Sequence, residues 1–158
     1  MNIDLAVKNI NELTAPQFAA LQVLTVLERQ EILGKSFKES IEDWKSAHHD
    51  QVLGLCFLFE CQLVGLTLFR KQTGHTASIH ELKIATPWQR RGFGDFAFRL
   101  AVDQLKVAWP DIKLLKLAMD AENIPAVSIY RAFGMNDCGP IFQGPNGQEH
   151  RMELQLKS

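Results

Sequence analysis

Residues 76–109, TASIHELKIATPWQRRGFGDFAFRLAVDQLKVAW, decide how this chain folds. Their first part predicts a strand, and their second half carries apolar residues at the spacing of a long helix. Between the two lies the loop QRRGFG, from Gln89 to Gly94. Gly92 and Gly94 permit close approach to the backbone, and the N–H groups of the helix start converge where the helix dipole adds partial positive charge. The loop therefore predicts an anion-binding site.

The charges around this loop agree with an anion site. From Leu82 to Gly94 the chain carries Lys83, Arg90 and Arg91 and no acid. The alternative is a glycine-rich turn with two solvated arginines, and these residues alone leave it open. A P-loop is excluded because its G-x-x-x-x-G-K-[ST] pattern is missing. GFGDFA also fits the glycine pattern of dinucleotide-binding loops. In those proteins the glycines directly follow a parallel strand, whereas here PWQRR intervenes and the preceding strand belongs to an antiparallel run. Binding of a nicotinamide nucleotide is therefore a lesser alternative.

A second informative segment follows the next predicted strand, KLLKLAMD. It predicts a helix with Asn123 as its N-cap, Pro125 in its first turn and Gly134 just after its end. Tyr130 on this helix could be plain core, although its hydroxyl needs a partner if it is buried. Because a helix connects the two strands, they should be parallel, and their carboxyl-end loops then define a ligand crevice. One face of the predicted helix consists of Ala126, Ile129, Tyr130 and Phe133.

The N-terminal part of the chain predicts a strand and two helices. The strand covers Ile3 to Val7, and the first helix begins after Thr14, with Gln17 completing a capping box, and ends at Gly34. A second helix covers Lys38 to His48. The apolar stripe of the first helix consists of Phe18, Leu21, Val23, Leu24, Leu27 and Ile32.

The remaining elements complete a mixed sheet. Two strands fold into a hairpin at Glu60-Cys61-Gln62, and TASIHELKIAT continues the same sheet. The chain ends with strands around Ile141 and Met152, joined by the turn GPNG. The order β-α-α-β-β-β-α-β-α-β-β indicates an α/β or α+β domain. By alternation, one face of the third strand holds Ser78, His80, Leu82 and Ile84, and the other holds Ile79, Glu81 and Lys83.

Length and composition restrict the class of protein. The 158 residues correspond to one domain, residues 1–158, that needs no metal or disulfide to fold. A net charge of -1, from 17 basic and 18 acidic residues, argues against a nucleic-acid binder. No apolar run reaches about 18 residues and the start lacks a signal peptide, so we expect neither a membrane span nor secretion. The odd number of cysteines, 3, suits a reducing compartment, and no histidine has the partner spacing of a metal site. We therefore expect a cytoplasmic protein without a metal.

Together the two informative segments resemble the GNAT N-acetyltransferase superfamily. Gln89-x-x-Gly92-x-Gly94 is similar to its pyrophosphate loop, and Asn123-x-x-Ala126-x-x-x-Tyr130-x-x-x-Gly134 is similar to its second motif. The order of elements fits over nearly the whole chain. The resemblance implies a mixed, mostly antiparallel sheet with a splayed central pair of parallel strands, helices on both faces, and acetyl-CoA bound between the splayed strands.

The resemblance also implies roles for the matched positions. The strand that ends in ELKIAT would be the splayed one, with the Leu82 N–H polarising the acetyl carbonyl and the Ile84 backbone bonding the pantetheine arm. Asp95 departs from the family pattern, and we expect its carboxylate to point outward and to pair with Arg99. The amides of the glycine loop would bind the pyrophosphate and Asn123 would help to hold the pantetheine. The predicted cofactor-binding residues are Leu82, Lys83, Ile84, Gln89, Arg90, Arg91, Gly92, Phe93, Gly94, Asp95, Asn123, Ala126 and Tyr130.

Two side chains are candidate catalytic residues. By the same resemblance, Tyr130 would face the thiol and protonate the leaving thiolate as a general acid. Family members often carry a basic glutamate on the splayed strand, whereas this chain has Ser78 and His80 at the usual positions. His80 could accept the proton of the amine, contact the substrate, or be an ordinary strand histidine. Glu81 is the neighbouring carboxylate, but alternation points it to the other face.

The sequence thus predicts an acetyl-CoA-dependent N-acetyltransferase, whose acceptor is the primary amine of a small molecule or a peptide. Acidic residues outnumber basic ones six to four from Glu28 to Asp50, which favours a cationic acceptor. A non-catalytic acyl-CoA-binding or sensor domain is the first alternative, and a nicotinamide-dependent oxidoreductase is the second. Exposed strands at the C-terminal end would suit a homodimer.

Overall fold

The computed structural model of the protein describes residues 4–24, 36–120, 124–138, 142–144 and 147–156. The α-helices of this part of the chain are α1 (Ala15–Gln22), α2 (Phe37–Ser46), α3 (Phe93–Ala108) and α4 (Ile124–Phe133). Its strands are β1 (Leu5–Asn9), β2 (Val52–Phe59), β3 (Gln62–Gln72), β4 (Thr76–Ile84), β5 (Leu114–Asp120), β6 (Asn136–Asp137), β7 (Phe142–Gly144) and β8 (Gly147–Gln155).

All these strands belong to one mixed sheet. Its order is β1-β2-β3-β4-β5-β8-β6, and β7 pairs with β8. β4 and β5 pair in parallel, whereas the other neighbours pair antiparallel. The predicted fold class, a mostly antiparallel sheet with a central parallel pair, is confirmed.

Each face of the sheet carries an apolar core with two helices. Helices α3 and α4 cover one face, where Phe98 is buried. Helices α1 and α2 cover the other, where Leu21 and Ile41 are buried. Strand side chains alternate between the two faces of the sheet. In β2, Phe57 therefore packs into the core under α3 and α4, and Cys56 packs into the core under α1 and α2.

The hairpin between β2 and β3 turns where the sequence predicts. The φ angle is 50° at Glu60 and 66° at Cys61. Two successive left-handed residues form a type I′ turn, whose twist matches that of the flanking strands. The two long strands are therefore held in register by a two-residue connection.

Helix α1 begins as predicted and ends earlier than predicted. The Gln17 N–H donates to Thr14 Oγ1 at 3.3 Å, and the Thr14 N–H donates to Gln17 Oε1 at 3.0 Å, which is the predicted capping box. The helix ends at Gln22, and Val23 is 75% exposed rather than part of the apolar stripe. Val23 is exposed because its backbone leaves helical geometry as the C-cap. The predicted stretch from Leu27 to Gly34 lies outside the described residues.

Two other N-terminal boundaries differ from the prediction. β1 runs to Asn9, two residues past Val7, because its pairing with β2 continues to that point, and Ile3 lies outside the described residues. Helix α2 begins at Phe37 rather than at Lys38 and ends at Ser46.

The C-terminal region contains a short strand that the sequence did not predict. β6 pairs its two residues, Asn136 and Asp137, with Glu153 and Met152 of β8. After α4 the chain turns into β6 because Gly134, with φ 114°, ends that helix in the predicted C′ position. Ile141 and the centre of the GPNG turn lie outside the described residues.

A β-bulge in β4 corrects the predicted faces of that strand. Two successive residues of β3 pair with Glu81 and Ile79, so His80 is an extra residue between them. The bulge inverts the alternation beyond it, and Ile79 packs into the same core as Leu82 and Ile84. The prediction that Ile79 faces away from these two residues is therefore wrong. The predicted direction of the Glu81 side chain lies outside what the structure describes.

Candidate functional site

The two parallel strands separate toward their carboxyl ends. Their pairing ends at Ile79 of β4 and Leu117 of β5. β4 continues to Ile84 and β5 to Asp120 without further pairs between these described segments. The opening between residues 80–84 and 118–120, called the wedge below, is the splayed pair that the sequence predicts.

The backbone of Leu82 and Ile84 is directed into the wedge. The Ala85 N–H donates to the Val64 carbonyl at 2.8 Å, and residues of an antiparallel ladder alternately bond to the partner strand and point away from it. Counted back from Ala85, Ile84 and Leu82 fall on the positions that point away from β3. The Ile84 carbonyl accordingly accepts a 2.7 Å hydrogen bond from Gln89 Nε2. Gln89, a predicted cofactor residue, thus ties the end of β4 to the following loop.

The loop after β4 contains two residues in the left-handed conformation. The φ angle is 60° at Arg90 and 81° at Gly92, and such left-handed residues turn neighbouring N–H groups toward one side. Gly92 is the N-cap of α3 and gives it no side-chain cap. The first N–H groups of α3 are therefore left for a ligand or water, and the helix dipole favours an anion there.

An aromatic cluster fixes this loop on the sheet. Phe59, Trp88 and Phe93 meet edge to face, with ring centroids between 5.1 and 5.7 Å apart. The Arg91 guanidinium carbon lies 5.3 Å from the centroid of the Trp88 ring. Because the Phe93 ring is buried in this cluster, Phe93 can serve a ligand only through its backbone.

The Asp95 carboxylate pairs with Arg99, as predicted. Arg99 Nε donates to Asp95 Oδ1 at 3.4 Å, one turn further along α3. This pairing draws the negative charge along the helix, so the repulsion that an anion would meet at the helix start is reduced.

Gly94 lies at the contact between α3 and α4. A Cβ atom at this position would lie 2.9 Å from Ile129 Cδ1. The sequence explained Gly94 by close approach of a ligand to the backbone, and the structure adds a packing requirement to that explanation.

Tyr130 places a hydroxyl in the core between α3 and α4. The residue is 4% exposed, and its ring meets Phe98 edge to face at 5.0 Å. Burial raises the pKa of the Tyr130 phenol above its usual value, so the group stays protonated at neutral pH. No hydrogen bond joins its hydroxyl to another residue in the described ranges. A buried hydroxyl in this state fits a polar ligand atom that binds beside it.

His80 lies at the bulge where the wedge begins. Its Nε2 lies 3.3 Å from Ser78 Oγ, which accepts a 2.9 Å hydrogen bond from Gln72 Nε2. Ser78 Oγ can donate to His80 Nε2 or accept from it, according to which ring nitrogen of His80 carries the proton. A cavity of about 140 Å³ is lined by Asp43, Val52, Leu68, Phe69, Arg70 and His80.

The cavity involves residues that the sequence did not single out. Asp43 on α2 and Arg70 on β3 give it opposite charges beside an apolar wall. In sequence, both resemble ordinary charges on a solvated surface. Only the packing of α2 against β2, β3 and β4 identifies them.

The other predicted site residues are placed as follows. The Lys83 ammonium contacts α2, so cofactor binding by this side chain stays a prediction without a supporting contact. Asn123 and the side chain of Ala126 lie outside the described residues. The structure thus brings together Leu82, Ile84, Gln89 and the glycine loop, with His80 at the start of the wedge.

Two features are absent from the described residues. No three His, Cys, Asp or Glu side chains approach each other closely enough to hold a metal ion. None of the helices in these ranges has both the length and the apolar character needed to cross a membrane.

Comparison with protein families identifies the class. Residues 17–135 match the family described as Acetyltransferase (GNAT) family. The match covers well over half of the chain, so the chain belongs to this family, whose members are acetyl-CoA-dependent N-acetyltransferases. Family membership confirms the predicted resemblance and sets the nicotinamide-dependent alternative aside. A search of curated proteins found no match.

Solved acetyltransferases share the fold at low sequence identity. A spermidine N-acetyltransferase from Vibrio cholerae, in complex with CoA and spermine, has a TM-score of 0.74 and 19% identity over 96% of this chain and 95% of that chain. The ribosomal-protein-alanine N-acetyltransferase from Brucella melitensis has a TM-score of 0.72 and 16% identity over 96% and 99%. The ribosomal-protein-S18-alanine N-acetyltransferase from Escherichia coli has a TM-score of 0.68 and 16% identity over 98% and 95%.

Proposed function

We propose that this protein transfers an acetyl group from acetyl-CoA to a primary amine, by direct attack of the amine on the thioester in a ternary complex. The separation of β4 from β5 after Ile79 and Leu117 carries the proposal. An uncapped helix start follows the first strand, and the helix with the buried Tyr130 hydroxyl follows the second. Family membership supports the reaction class.

The residues around the wedge fit acetyl-CoA. The pyrophosphate suits the N–H groups from Arg90 to Asp95, where the arginine side chains and the helix dipole supply positive charge. The pantetheine arm carries amides, which can bond to the backbone of Leu82 and Ile84 as an added strand would. Asn123 is proposed to assist on the pantetheine side. The Tyr130 hydroxyl then gains the sulfur atom as its partner.

The reaction requires stabilisation of one charge and transfer of protons. The amine nitrogen forms a bond to the acetyl carbon, and the carbonyl oxygen becomes negative. The Leu82 N–H is proposed to stabilise that oxygen. The carbon–sulfur bond then breaks, and Tyr130 gives its proton to the thiolate. The attacking nitrogen releases one proton as it becomes an amide, and that proton restores the Tyr130 phenol. Contact between the two groups is essential because a phenol is the weaker acid in water.

The acceptor amine must lose a proton before it attacks. An alkylamine with a pKa near 10.4 is almost fully protonated at pH 7. We assign His80 as the base, directly or through a water molecule, because it lies at the start of the wedge and lines the cavity with Asp43. Structural relatives that acetylate spermidine or an alanine of a ribosomal protein illustrate the two classes of acceptor, small molecule and protein.

A non-catalytic acyl-CoA sensor is the second candidate. It is favoured by the replacement of the usual strand glutamate by Ser78 and His80. A sensor would keep the wedge and the glycine loop and would release no thiol. Binding of CoA therefore supports both candidates, and turnover separates them.

The test combines binding with turnover. Calorimetry measures CoA affinity, and a thiol reagent follows the release of CoA from acetyl-CoA with spermidine, lysine and a peptide with N-terminal alanine. We expect CoA binding and amine-dependent thiol release, with an acetylated amine detected by mass spectrometry. CoA binding without release from any amine would favour the sensor, and absence of CoA binding would contradict both candidates.

A further inference from the structure

A lysine of the splayed strand reaches across to the start of helix α2. Lys83 Nζ donates to the Ser36 carbonyl at 3.1 Å and also to Ser40 Oγ. Ser40 is completely buried. These contacts join residues 43 and 47 positions apart in the sequence, so they are tertiary contacts and not part of a local motif.

The direction of each bond follows from the donors available. Ser40 Oγ donates its own proton to the Ser36 carbonyl at 3.0 Å. An ammonium has three donors and no acceptor, so Ser40 Oγ accepts from Lys83. The Lys83 ammonium thus donates to two oxygen atoms at the start of α2, one of the Ser36 carbonyl and one of the Ser40 hydroxyl. An apolar side chain there would leave buried oxygen atoms with fewer partners.

The position of this contact connects the two sides of the proposed site. Beyond Ile79, β4 has β3 as its only strand neighbour among the described residues. Lys83 lies in that segment, between the two residues whose backbone faces the wedge. Helix α2 begins after Ser36 and carries Asp43, which lines the cavity with His80. The contact therefore joins the start of α2 to the strand that is proposed to bind acetyl-CoA.

We propose that Lys83 is a positioning residue, which together with Ser40 holds α2 against the splayed half of β4 and so sets the geometry of acceptor binding. This inference rests on the proposed function. It assigns Lys83 to the acceptor side, whereas the sequence alone assigned it to the cofactor. Loss of the ammonium should impair use of the acceptor far more than binding of CoA.

The variants separate charge from packing. Lys83→Met keeps much of the side-chain stem and removes the ammonium, Lys83→Arg keeps a cation with several donors, and Ser40→Ala removes the buried acceptor. Lys38→Met, at an exposed position of the same helix, is the matched control. Amide hydrogen exchange of α2, CoA affinity by calorimetry, and KM and kcat with spermidine and the alanine peptide are measured for each full-length variant.

We expect Lys83→Met and Ser40→Ala to speed exchange of the first amides of α2. They should raise the acceptor KM by about tenfold, the effect of one charge-assisted hydrogen bond, with CoA affinity within about twofold of wild type. The double variant should be little worse than either single variant because both remove the same contact. The acceptor KM of Lys83→Arg should lie between the values of wild type and Lys83→Met. Lys38→Met should have the acceptor KM of wild type.

Four results would overturn the inference or the proposed function on which it rests. Weaker CoA binding in Lys83→Met, with an unchanged acceptor KM, would mean that Lys83 acts in cofactor binding. A lower melting temperature with unchanged KM and unchanged α2 exchange would make the contact merely structural. Absence of turnover by the wild-type protein would overturn the proposed function and the role of Lys83 in it, whereas unchanged exchange in Lys83→Met and Ser40→Ala would overturn the α2 contact alone.

Discussion

The Tyr130 ring meets the Phe98 ring edge to face, with their centroids 5.0 Å apart. This contact fixes the ring and does not involve the hydroxyl. Tyr130→Phe should therefore keep the fold and remove only the proposed proton donor. We expect kcat to fall by about 100-fold, a typical contribution of a general acid, while CoA affinity stays within about twofold. Thiol release and calorimetry measure the two quantities.

The control for this variant is Phe98→Leu. It disturbs the ring contact and keeps the hydroxyl, so it should lower the melting temperature more than Tyr130→Phe does. Unchanged kcat in Tyr130→Phe would remove the acid role. Because burial raises the Tyr130 pKa above its usual value, the wild-type rate should not fall through ionisation of Tyr130 as pH rises to about 10.

The His80 imidazole should contribute most to kcat/KM at a pH at which the amine is protonated. His80→Ala should lower kcat/KM by roughly 10- to 100-fold at pH 7 if His80 removes the proton, within the range of general base catalysis. The deficit should shrink at pH 9, because more of the amine is then neutral in solution. The pH profile of kcat/KM measures this effect.

Ser78→Ala is the companion variant, because Ser78 Oγ lies 3.3 Å from His80 Nε2. Loss of that hydroxyl should reduce kcat/KM less than loss of the imidazole, and the reduction should have the same dependence on pH. A deficit in His80→Ala that is the same at pH 7 and pH 9 would assign His80 to substrate contact instead.

The glycine loop can be tested with two glycines of the same backbone conformation. Gly92 has φ 81° at the start of α3, and Gly74 has φ 71° in the β3–β4 turn, where a Cβ atom would meet nothing within 4 Å. Gly92→Asp adds backbone strain and a negative charge where the diphosphate is proposed to bind. Gly74→Asp adds the same strain and charge elsewhere.

We expect Gly92→Asp to weaken CoA binding by more than about tenfold, since a unit charge at close range costs over ~1 kcal/mol. Gly74→Asp should bind CoA like wild type with a similar loss of stability. Equal CoA affinity of the two variants, measured by calorimetry, would contradict the assignment of the loop.

Gly94 should be limited by packing against Ile129. A Cβ there would lie 2.9 Å from Ile129 Cδ1, so Gly94→Ala should destabilise the protein by about 1 to 3 kcal/mol, the usual cost of overpacking. Ile129→Val removes the Cδ1 atom, and the double variant should recover most of the loss in urea unfolding. If the double variant is as unstable as the sum of the single variants, the contact does not limit residue 94.

The sequence predicts well the features that depend on neighbouring residues. The capping box of Thr14, the turn at Glu60 and Cys61, and the loop at Gly92 each follow from local backbone preferences. The capping box of Ser36 and Glu39 was also visible as S-x-x-E and would have corrected the start of α2. These motifs need no knowledge of the rest of the fold.

Features that depend on register or on distant contacts were missed. The bulge at His80 adds one residue to β4, and no change in the polarity pattern marks it, so the predicted faces failed beyond that residue. The contact of Lys83 with Ser40 joins positions 43 residues apart. A lysine in a basic stretch of sequence is interpreted as part of an anion site, because the sequence does not show that α2 lies beside it.

The buried thiol of Cys56 should make the protein less stable in alkali. Burial raises the pKa of the Cys56 thiol from 9.0 to about 12, and Cys56 Sγ donates to the Lys8 carbonyl at 3.3 Å. The native state therefore keeps a proton that the unfolded chain loses above pH 9. The contribution of the neutral thiol to the free energy of unfolding is fully present below pH 9. It is lost as pH rises toward 12, with a slope of up to about 1.4 kcal/mol per pH unit.

Urea unfolding between pH 8 and pH 10 measures this loss. The free energy of unfolding should decline less steeply for Cys56→Ala than for wild type, whereas Cys61→Ala, at the exposed turn, should follow wild type. A decline of the same slope in Cys56→Ala would mean that other groups account for the alkaline loss of stability.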